Sequence, residues 1–142
     1  MITTDRIANR QLTSWYKLRQ DLEISETPFT DVVNFFSRLP RVKVYTDPYD
    51  SSRWPTPWEL ISENEYCEFN LILGICYTLQ LTERFKNIQP KINVSIDRIN
   101  KTVYYMLIVK DKVYGYSDDW LDVDELPKSL KIQKMYTMKP LH

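Results

Sequence analysis

Residues 65–84 read EYCEFNLILGICYTLQLTER and contain the most apolar run of the chain. Wound into a helix, they leave only a narrow polar stripe, because large apolar residues fall on nearly every side. These are Tyr66, Phe69, Ile72, Leu73, Cys76, Tyr77, Leu79 and Leu81. A helix that is apolar nearly all round belongs inside a domain. Gly74 in its middle costs about 1 kcal/mol relative to alanine, which predicts that another backbone or a large aromatic side chain packs there.

After this helix the hydrophobic period changes from 3.6 to 2. Residues 92–97 read INVSID, and the alternation of aliphatic and polar side chains predicts a half-buried strand. Residues 102–109 and 112–116, joined by a polar turn, predict a β-hairpin. A last strand is expected at residues 130–138, with Leu130 and Ile132 on its apolar face.

Two amphipathic helices are predicted before the central one. Apolar residues at three- and four-residue steps indicate a helix from residue 4 to about 24, with Arg19 on its solvated face. Thr27 and Pro28 open a second helix, and Pro40 ends it. Residues 42–45 are then a candidate for a short strand.

The clearest helix start lies upstream of the central helix. Thr56 as N-cap, Pro57 at the first helical position and Glu59 at the third form a capping box, which predicts a short helix. Asn64 can cap the central helix that follows it.

This order of elements predicts an α+β fold, since helices come first and strands joined by short turns follow. We expect N-terminal helices and one buried central helix packed on a C-terminal antiparallel sheet of about four strands. The chain has 142 residues, the size of a single domain. The predicted domain therefore spans residues 1–142, with a helical N-terminal segment at 1–40 and an α+β core at 54–138.

Charge and composition argue against several classes of partner. Nineteen basic and nineteen acidic residues balance, so no net field favours a phosphate backbone or an anionic membrane. Residues 1–10 lack the apolar region of a secretory signal, and the apolar run at 69–81 is too short to span a bilayer. We expect a soluble, intracellular-type protein that binds neither nucleic acid nor membrane.

Cys67 is the candidate nucleophile, because the start of a helix stabilises a thiolate. Such a cysteine also needs a base, and the only histidine, His142, is the last residue. Cys67 and Cys76 lie too far apart on one helix for a disulfide. The sequence therefore predicts two reduced, packed thiols and no enzyme.

No metal or cofactor site is predicted. The densest acidic cluster comprises Asp118, Asp119, Asp122, Asp124 and Glu125. Its spacing lacks the glycine and ligand pattern of an EF-hand loop, so a solvated loop is expected. There is also no glycine-rich phosphate loop.

The most unusual stretch is the aromatic loop, residues 45–58, which reads YTDPYDSSRWPTPW. Aromatic side chains next to proline and aspartate offer large contact area at low entropic cost, as protein interfaces favour. The predicted partner-binding residues are Tyr45, Tyr49, Arg53, Trp54 and Trp58. Alternatively, Trp54 and Trp58 close over one end of the core.

The segment from Thr56-Pro57-Trp58-Glu59-Leu60 to Tyr66-Cys67-Glu68, then an apolar helix and a hairpin, is similar to the core of the transglutaminase-like superfamily. The resemblance covers roughly residues 54–123 and places the nucleophile at Cys67. It also implies a histidine near residues 103–105, where this chain has Val-Tyr-Tyr, and a third member at Asp118 or Asp119. Without that histidine, the resemblance implies a fold re-used without its chemistry.

The stretch Trp54-Pro55-Thr56-Pro57-Trp58-Glu59-Leu60, with few glycines and many aromatics, also resembles small virion proteins of large tailed bacteriophages. That likeness implies a structural subunit of a tail, neck or baseplate, made in the host cytoplasm and able to pair with further copies of itself. Its partners would be other protein subunits. The alternatives are a transglutaminase-like or peptidase-type cysteine enzyme using Cys67, and a small regulator that binds a host protein.

Overall fold

The computed structural model describes residues 4–43 and 45–141 and shows the predicted α+β class, with helices N-terminal and an antiparallel sheet C-terminal. Within the described residues there are four α-helices: α1 (Thr4–Leu22), α2 (Pro28–Ser37), α3 (Pro57–Glu63) and α4 (Glu68–Gln80). They belong to one compact unit, Met1–Lys86, and the strands to a second, Asn87–His142. A single domain over residues 1–142 stays a prediction.

Helix α4 is the buried helix that the sequence predicts. Every residue from Phe69 to Gln80 is buried. The aromatic neighbour expected at Gly74 is Phe36 of α2, whose ring lies where a side chain would stand. A Cβ added to Gly74 would lie 2.9 Å from Phe36 Cζ and closer still to Cε1, so glycine permits the close approach of α2 to α4.

The predicted start of α4 is wrong by three residues. Asn64 does not cap α4 but ends α3 in the left-handed region, with φ 52°. Tyr66 pairs with Arg41 in an isolated parallel bridge, and its carbonyl accepts a hydrogen bond from Val42 N–H at 3.1 Å. This pairing holds the chain extended, so Cys67 becomes the N-cap of α4. The strand expected at residues 42–45 does not form in the described part of that range, which omits Val44, and the bridge lies one residue earlier, at Arg41.

The end of α1 and the end of α4 are tied together by hydrogen bonds that the sequence did not indicate. The Glu23 carboxylate accepts from the backbone N–H groups of Glu83 and Arg84, at 2.8 and 2.9 Å. The Arg84 guanidinium donates to the carbonyls of Leu22 and Ser25. The bond to Leu22 satisfies one of the carbonyl groups that the C-terminus of a helix otherwise leaves without a partner.

The predicted capping box at the start of α3 is confirmed. Glu59 N–H donates to the Thr56 hydroxyl at 3.4 Å, and Thr56 N–H donates to Glu59 Oε1 at 3.0 Å. Chiefly through the bond from that backbone N–H, the pKa of Glu59 falls below its ordinary value.

We expect Thr56→Ala to lower the free energy of unfolding by about 1 kcal/mol, the usual cost of losing an N-cap side chain. Urea denaturation at neutral pH measures it, with the exposed Thr30→Ala as a matched control inside α2. An equal loss in both variants would contradict a specific capping role.

The contribution of the Glu59 carboxylate to the capping box depends on pH. Because the folded pKa of Glu59 lies below the unfolded one, its contribution is complete above the ordinary value of 4.5 and disappears as the pH falls through the folded pKa. The stability difference between wild type and Glu59→Gln should therefore shrink on acidification below that value.

The sheet is antiparallel throughout, with strand order β4-β3-β2-β1-β5. In the described chain its strands number five, not about four. They are β1 (Lys91–Asp97), β2 (Val103–Val109), β3 (Lys112–Tyr114), β4 (Leu121–Asp122) and β5 (Leu130–Thr137). The additional strand, β4, lies in the acidic stretch. Its two residues are too short to show periodicity, and Asp122 forms an ion pair with Lys112 on β3.

Strand β1 is buried on both faces, which contradicts the half-buried strand of the prediction. Its polar side chains Asn93, Ser95 and Asp97 are buried together with the aliphatic ones. Ser95 donates to the Asn93 side-chain oxygen at 2.9 Å, and the Asp97 carboxylate accepts from Ile99 N–H at 2.8 Å. The alternation of apolar and polar residues did not indicate an exposed face, because these polar groups have hydrogen-bond partners inside the fold.

The last strand forms where expected, but its predicted apolar face is not buried. The register between β1 and β5 shifts between Val94 and Ser95, so that Gln133 has no Cα partner. Such a bulge breaks the inward and outward alternation. Ile132, predicted to face the core, is exposed.

Candidate functional site

The structure divides the aromatic loop into an inward and an outward part. The centroid of the Trp54 ring lies 5.1 Å from that of the buried Phe69 ring. The Trp54 indole N–H donates to the Asp47 carbonyl at 2.9 Å. Trp54 therefore packs against the helical unit while it also holds the start of the loop in place.

Tyr45, Tyr49 and Arg53 remain exposed. The loop beneath them is ordered by local hydrogen bonds, since Tyr49 N–H donates to the Asp47 carboxylate at 2.9 Å. Pro48 is buried beside it. The loop thus presents two tyrosines and an arginine from a fixed backbone.

Trp58, the last of the predicted partner-binding residues, belongs to a different group of side chains. It stands on α3, and its ring packs edge-on against Trp15 of α1 with centroids 5.5 Å apart. Trp58 is nevertheless 50% exposed, whereas Trp15 is fully buried. Trp58 therefore covers one end of the helical core with part of its ring and leaves the rest accessible.

Arg19 completes this group, although the sequence placed it on the solvated face of α1. Its guanidinium carbon lies 4.3 Å from the centroid of Trp15, 5.6 Å from Tyr16 and 5.8 Å from Trp58. Its Nε atom is buried and has no hydrogen-bond partner among the described residues. Partial burial lowers the pKa of Arg19, an effect that the Tyr16 phenol group opposes. Cation–π attraction to the aromatic rings offsets part of this cost of burial.

These side chains line a shallow depression of about 400 Å³ between α1 and α3, which we call the α1–α3 groove. Its lining residues are Asn9, Leu12, Thr13, Tyr16, Arg19 and Trp58. Tyr16 is 56% exposed, so two half-exposed aromatic rings flank the guanidinium. Sequence reasoning found Trp58 but missed Tyr16 and Arg19. The only available signal was their i, i+3 spacing on a face expected to be wet.

The two cysteines differ in accessibility. Cys67 is half-buried at the N-cap of α4, and the adjacent Glu68 is paired with Arg41 at 3.0 Å. Cys76 is fully buried, and burial raises the pKa of its thiol far above the ordinary value, which keeps it protonated. His142 lies outside the described residues, so the expectation that Cys67 lacks a base stays a prediction.

Within the part of the chain that the structure describes, no group of three or more His, Cys, Asp or Glu side chains is placed to hold a metal ion. Asp122, a member of the predicted acidic cluster, forms an ion pair with Lys112 and belongs to no such group. Over residues 4–43 and 45–141, no helix reaches the length and apolarity that crossing a membrane requires.

No family model matches this chain, and no curated protein is significantly similar to it.

Proposed function

We propose that this chain is a non-enzymatic structural or interaction protein that binds other protein subunits of an assembly. One observation carries the proposal: the Arg19 guanidinium is held against aromatic rings, of which Tyr16 and Trp58 are still half exposed. Tryptophan, tyrosine and arginine are the residues that most often dominate binding energy at protein interfaces.

The exposed part of Trp58 is large enough to matter for affinity. A tryptophan side chain buries about 150–250 Å² when it is fully covered, so the exposed half amounts to about 100 Å². Covering that area contributes about 2.5 kcal/mol at about 25 cal/mol per Å². Its rotamer is already restrained by Trp15, which lowers the entropy lost on binding.

The edge of the α1–α3 groove offers polar groups beside this aromatic centre. Asn9 and the exposed Thr13 lie along it. A polar edge around aromatic and arginine side chains is the usual composition of a protein-binding surface. The partner proposed is therefore a folded protein surface, with no nucleic acid or membrane involved.

The assembly we propose is the particle of a tailed bacteriophage, at the tail, neck or baseplate. What supports this is the likeness of residues 54–60 to small virion proteins, together with the exposed aromatic residues of the aromatic loop and the groove. A second copy of the chain is among the proposed partners. In this proposal Tyr45, Tyr49 and Arg53, with the part of Trp54 that stays accessible, form an additional contact region on the aromatic loop.

We expect the double variant Tyr16→Ala and Trp58→Ala to weaken incorporation into the assembly about 50-fold or more, since about 1.4 kcal/mol corresponds to a factor of ten. A tagged chain is produced in host cells in which the particle assembles, and particles are separated on a density gradient. The amount of chain in the particle fraction is then measured against a component of the particle.

Ile24→Ala is the matched control, because it removes an exposed hydrophobic side chain outside the groove. It should sediment like wild type. Wild-type chain that stays in the monomer fraction, or a double variant that enters particles as well as wild type, would contradict the proposal. The variant Tyr45→Ala and Tyr49→Ala measures the contribution of the aromatic loop separately.

A further inference from the structure

A second concavity, of about 240 Å³, lies where the aromatic loop meets α3 and the start of α4. We call it the acidic pocket. Among the side chains that line it are Arg53, Trp54, Glu59, Glu63, Glu65 and Asn70. The sequence singled out Trp54 and Arg53 as binding residues and Glu59 only as part of a capping box.

Asn70, which lines this pocket, carries a buried side-chain acceptor that no described residue uses. The side chain is only 4% exposed, and its Nδ2 donates weakly to the Glu65 carbonyl at 3.4 Å. Its Oδ1 is buried with no hydrogen-bond partner in the described chain. A buried acceptor without a donor costs about 1–3 kcal/mol. A ligand that brings an N–H group to Oδ1 recovers that cost.

The charge of the pocket selects a cationic ligand. Three carboxylates line it, from Glu59, Glu63 and Glu65, against the single guanidinium of Arg53. The Glu59 carboxylate is engaged in the capping box and faces the pocket from a fixed position on α3. An anionic lining around a buried acceptor disfavours a phosphate or carboxylate ligand.

The spacing of the acceptors favours an extended cation over a metal ion. In the described residues these carboxylates do not form a group that could hold one ion. A guanidinium presents five N–H donors in a plane and can reach several separated acceptors at once. It also stacks on aromatic rings, and Trp54 provides one at the pocket wall.

We propose that the acidic pocket receives the guanidinium of an arginine side chain from a partner protein, donating to Asn70 Oδ1 and pairing with Glu63 and Glu65. This inference rests on the proposed function, since it names the chemistry that the partner must present. Arg53 lies at the same pocket and opposes the incoming charge, so it lowers the affinity.

The test is an NMR titration of the isolated chain with methylguanidinium, following the Trp54 indole and Asn70 side-chain N–H signals. Saturable shifts of both signals are expected in wild type. Glu63→Gln with Glu65→Gln should weaken binding about tenfold, because two unit charges a few ångströms from a cation in water together account for about that factor. Arg53→Gln should strengthen it.

Asn70→Leu should abolish the shift of the Trp54 signal, since the central acceptor is gone. If that variant does not fold, the result for the double variant Glu63→Gln and Glu65→Gln decides whether the proposal stands. Glu26→Gln, an exposed carboxylate outside the pocket, is the matched control and should bind like wild type.

Shifts that do not saturate with methylguanidinium would overturn the proposal. So would binding that is unchanged in the double variant Glu63→Gln and Glu65→Gln. Saturable shifts of the same size with Mg²⁺ as with methylguanidinium would also overturn it. Methylammonium should bind more weakly than methylguanidinium. The titration uses no partner protein, so its failure leaves the proposed function standing, and loss of particle incorporation in the groove variants is judged separately.

Discussion

Trp15→Ala is expected to lower the free energy of unfolding by about 3–5 kcal/mol, the range for removing a fully buried tryptophan. Trp15 is 0% exposed, and its indole N–H donates to Thr78 Oγ1 at 2.9 Å. Thr78 in turn donates to the Gly74 carbonyl at 2.6 Å. The substitution therefore removes the contact through which α1 is fixed to the middle of α4.

Urea denaturation of three variants separates burial from hydrogen bonding. Trp15→Phe keeps most of the apolar surface and should cost about 1–2 kcal/mol, mainly the lost hydrogen bond and some packing. Trp58→Ala makes the same chemical change as Trp15→Ala at a half-exposed site and should cost less than half as much. Equal losses for Trp15→Ala and Trp58→Ala would contradict the packing described.

Gly74→Val is expected to destabilise the chain by about 3 kcal/mol, the upper end of the range for overpacking a core. The reason is the Phe36 ring, which occupies the volume that the new side chain needs. Phe36 cannot simply move aside, because it is buried and its ring also lies 6.0 Å from that of Tyr66. The gain in helix propensity over glycine, less than about 1 kcal/mol, is too small to compensate.

A double-mutant cycle with Phe36→Leu tests this cause. The smaller side chain should make room for the valine, so the double variant should be more stable than the sum of the single losses by about 1 kcal/mol or more. Phe29→Leu, two turns earlier on α2 and packed on Phe85, is the matched control and should give no such recovery. Additive losses in both cycles would show that Phe36 is not what excludes a side chain at Gly74.

Local patterns were sufficient where one segment determines the outcome. The capping box at Thr56 and Glu59 needs only neighbours in sequence, and the apolar run of α4 is buried whatever covers it. The bulky neighbour of Gly74 could be predicted as a class for the same reason. Its identity as Phe36 could not, because it depends on how α2 approaches α4.

The error at the start of α4 arises from a contact between distant segments. The bridge between Arg41 and Tyr66 moves the start of α4 to Cys67, against the local signal at Asn64. The error at β1 has a different cause, because its polar side chains bond to near neighbours in sequence, as Ser95 does to Asn93, and this allows both faces of the strand to be buried.

The candidate site shows the same limit. The charge of Arg19 predicts a solvent-exposed side chain, yet its guanidinium lies over the rings of Trp15 and Trp58. Trp58 and Trp54 lie close together in the aromatic loop, and the structure assigns them to different groups of side chains. A sequence pattern identifies such aromatic residues as candidates but does not show which of them share a surface.

Photo-crosslinking from the α1–α3 groove tests the subunit role most directly. A photoreactive phenylalanine derivative replaces Tyr16, with the exposed position of Ile24 as the control site. After irradiation of cells that produce the assembly, we predict that the chain is covalently joined to another particle protein, or to a second copy, from position 16 and not from position 24. A chain absent from purified particles, with no product specific to position 16, would contradict the proposed role.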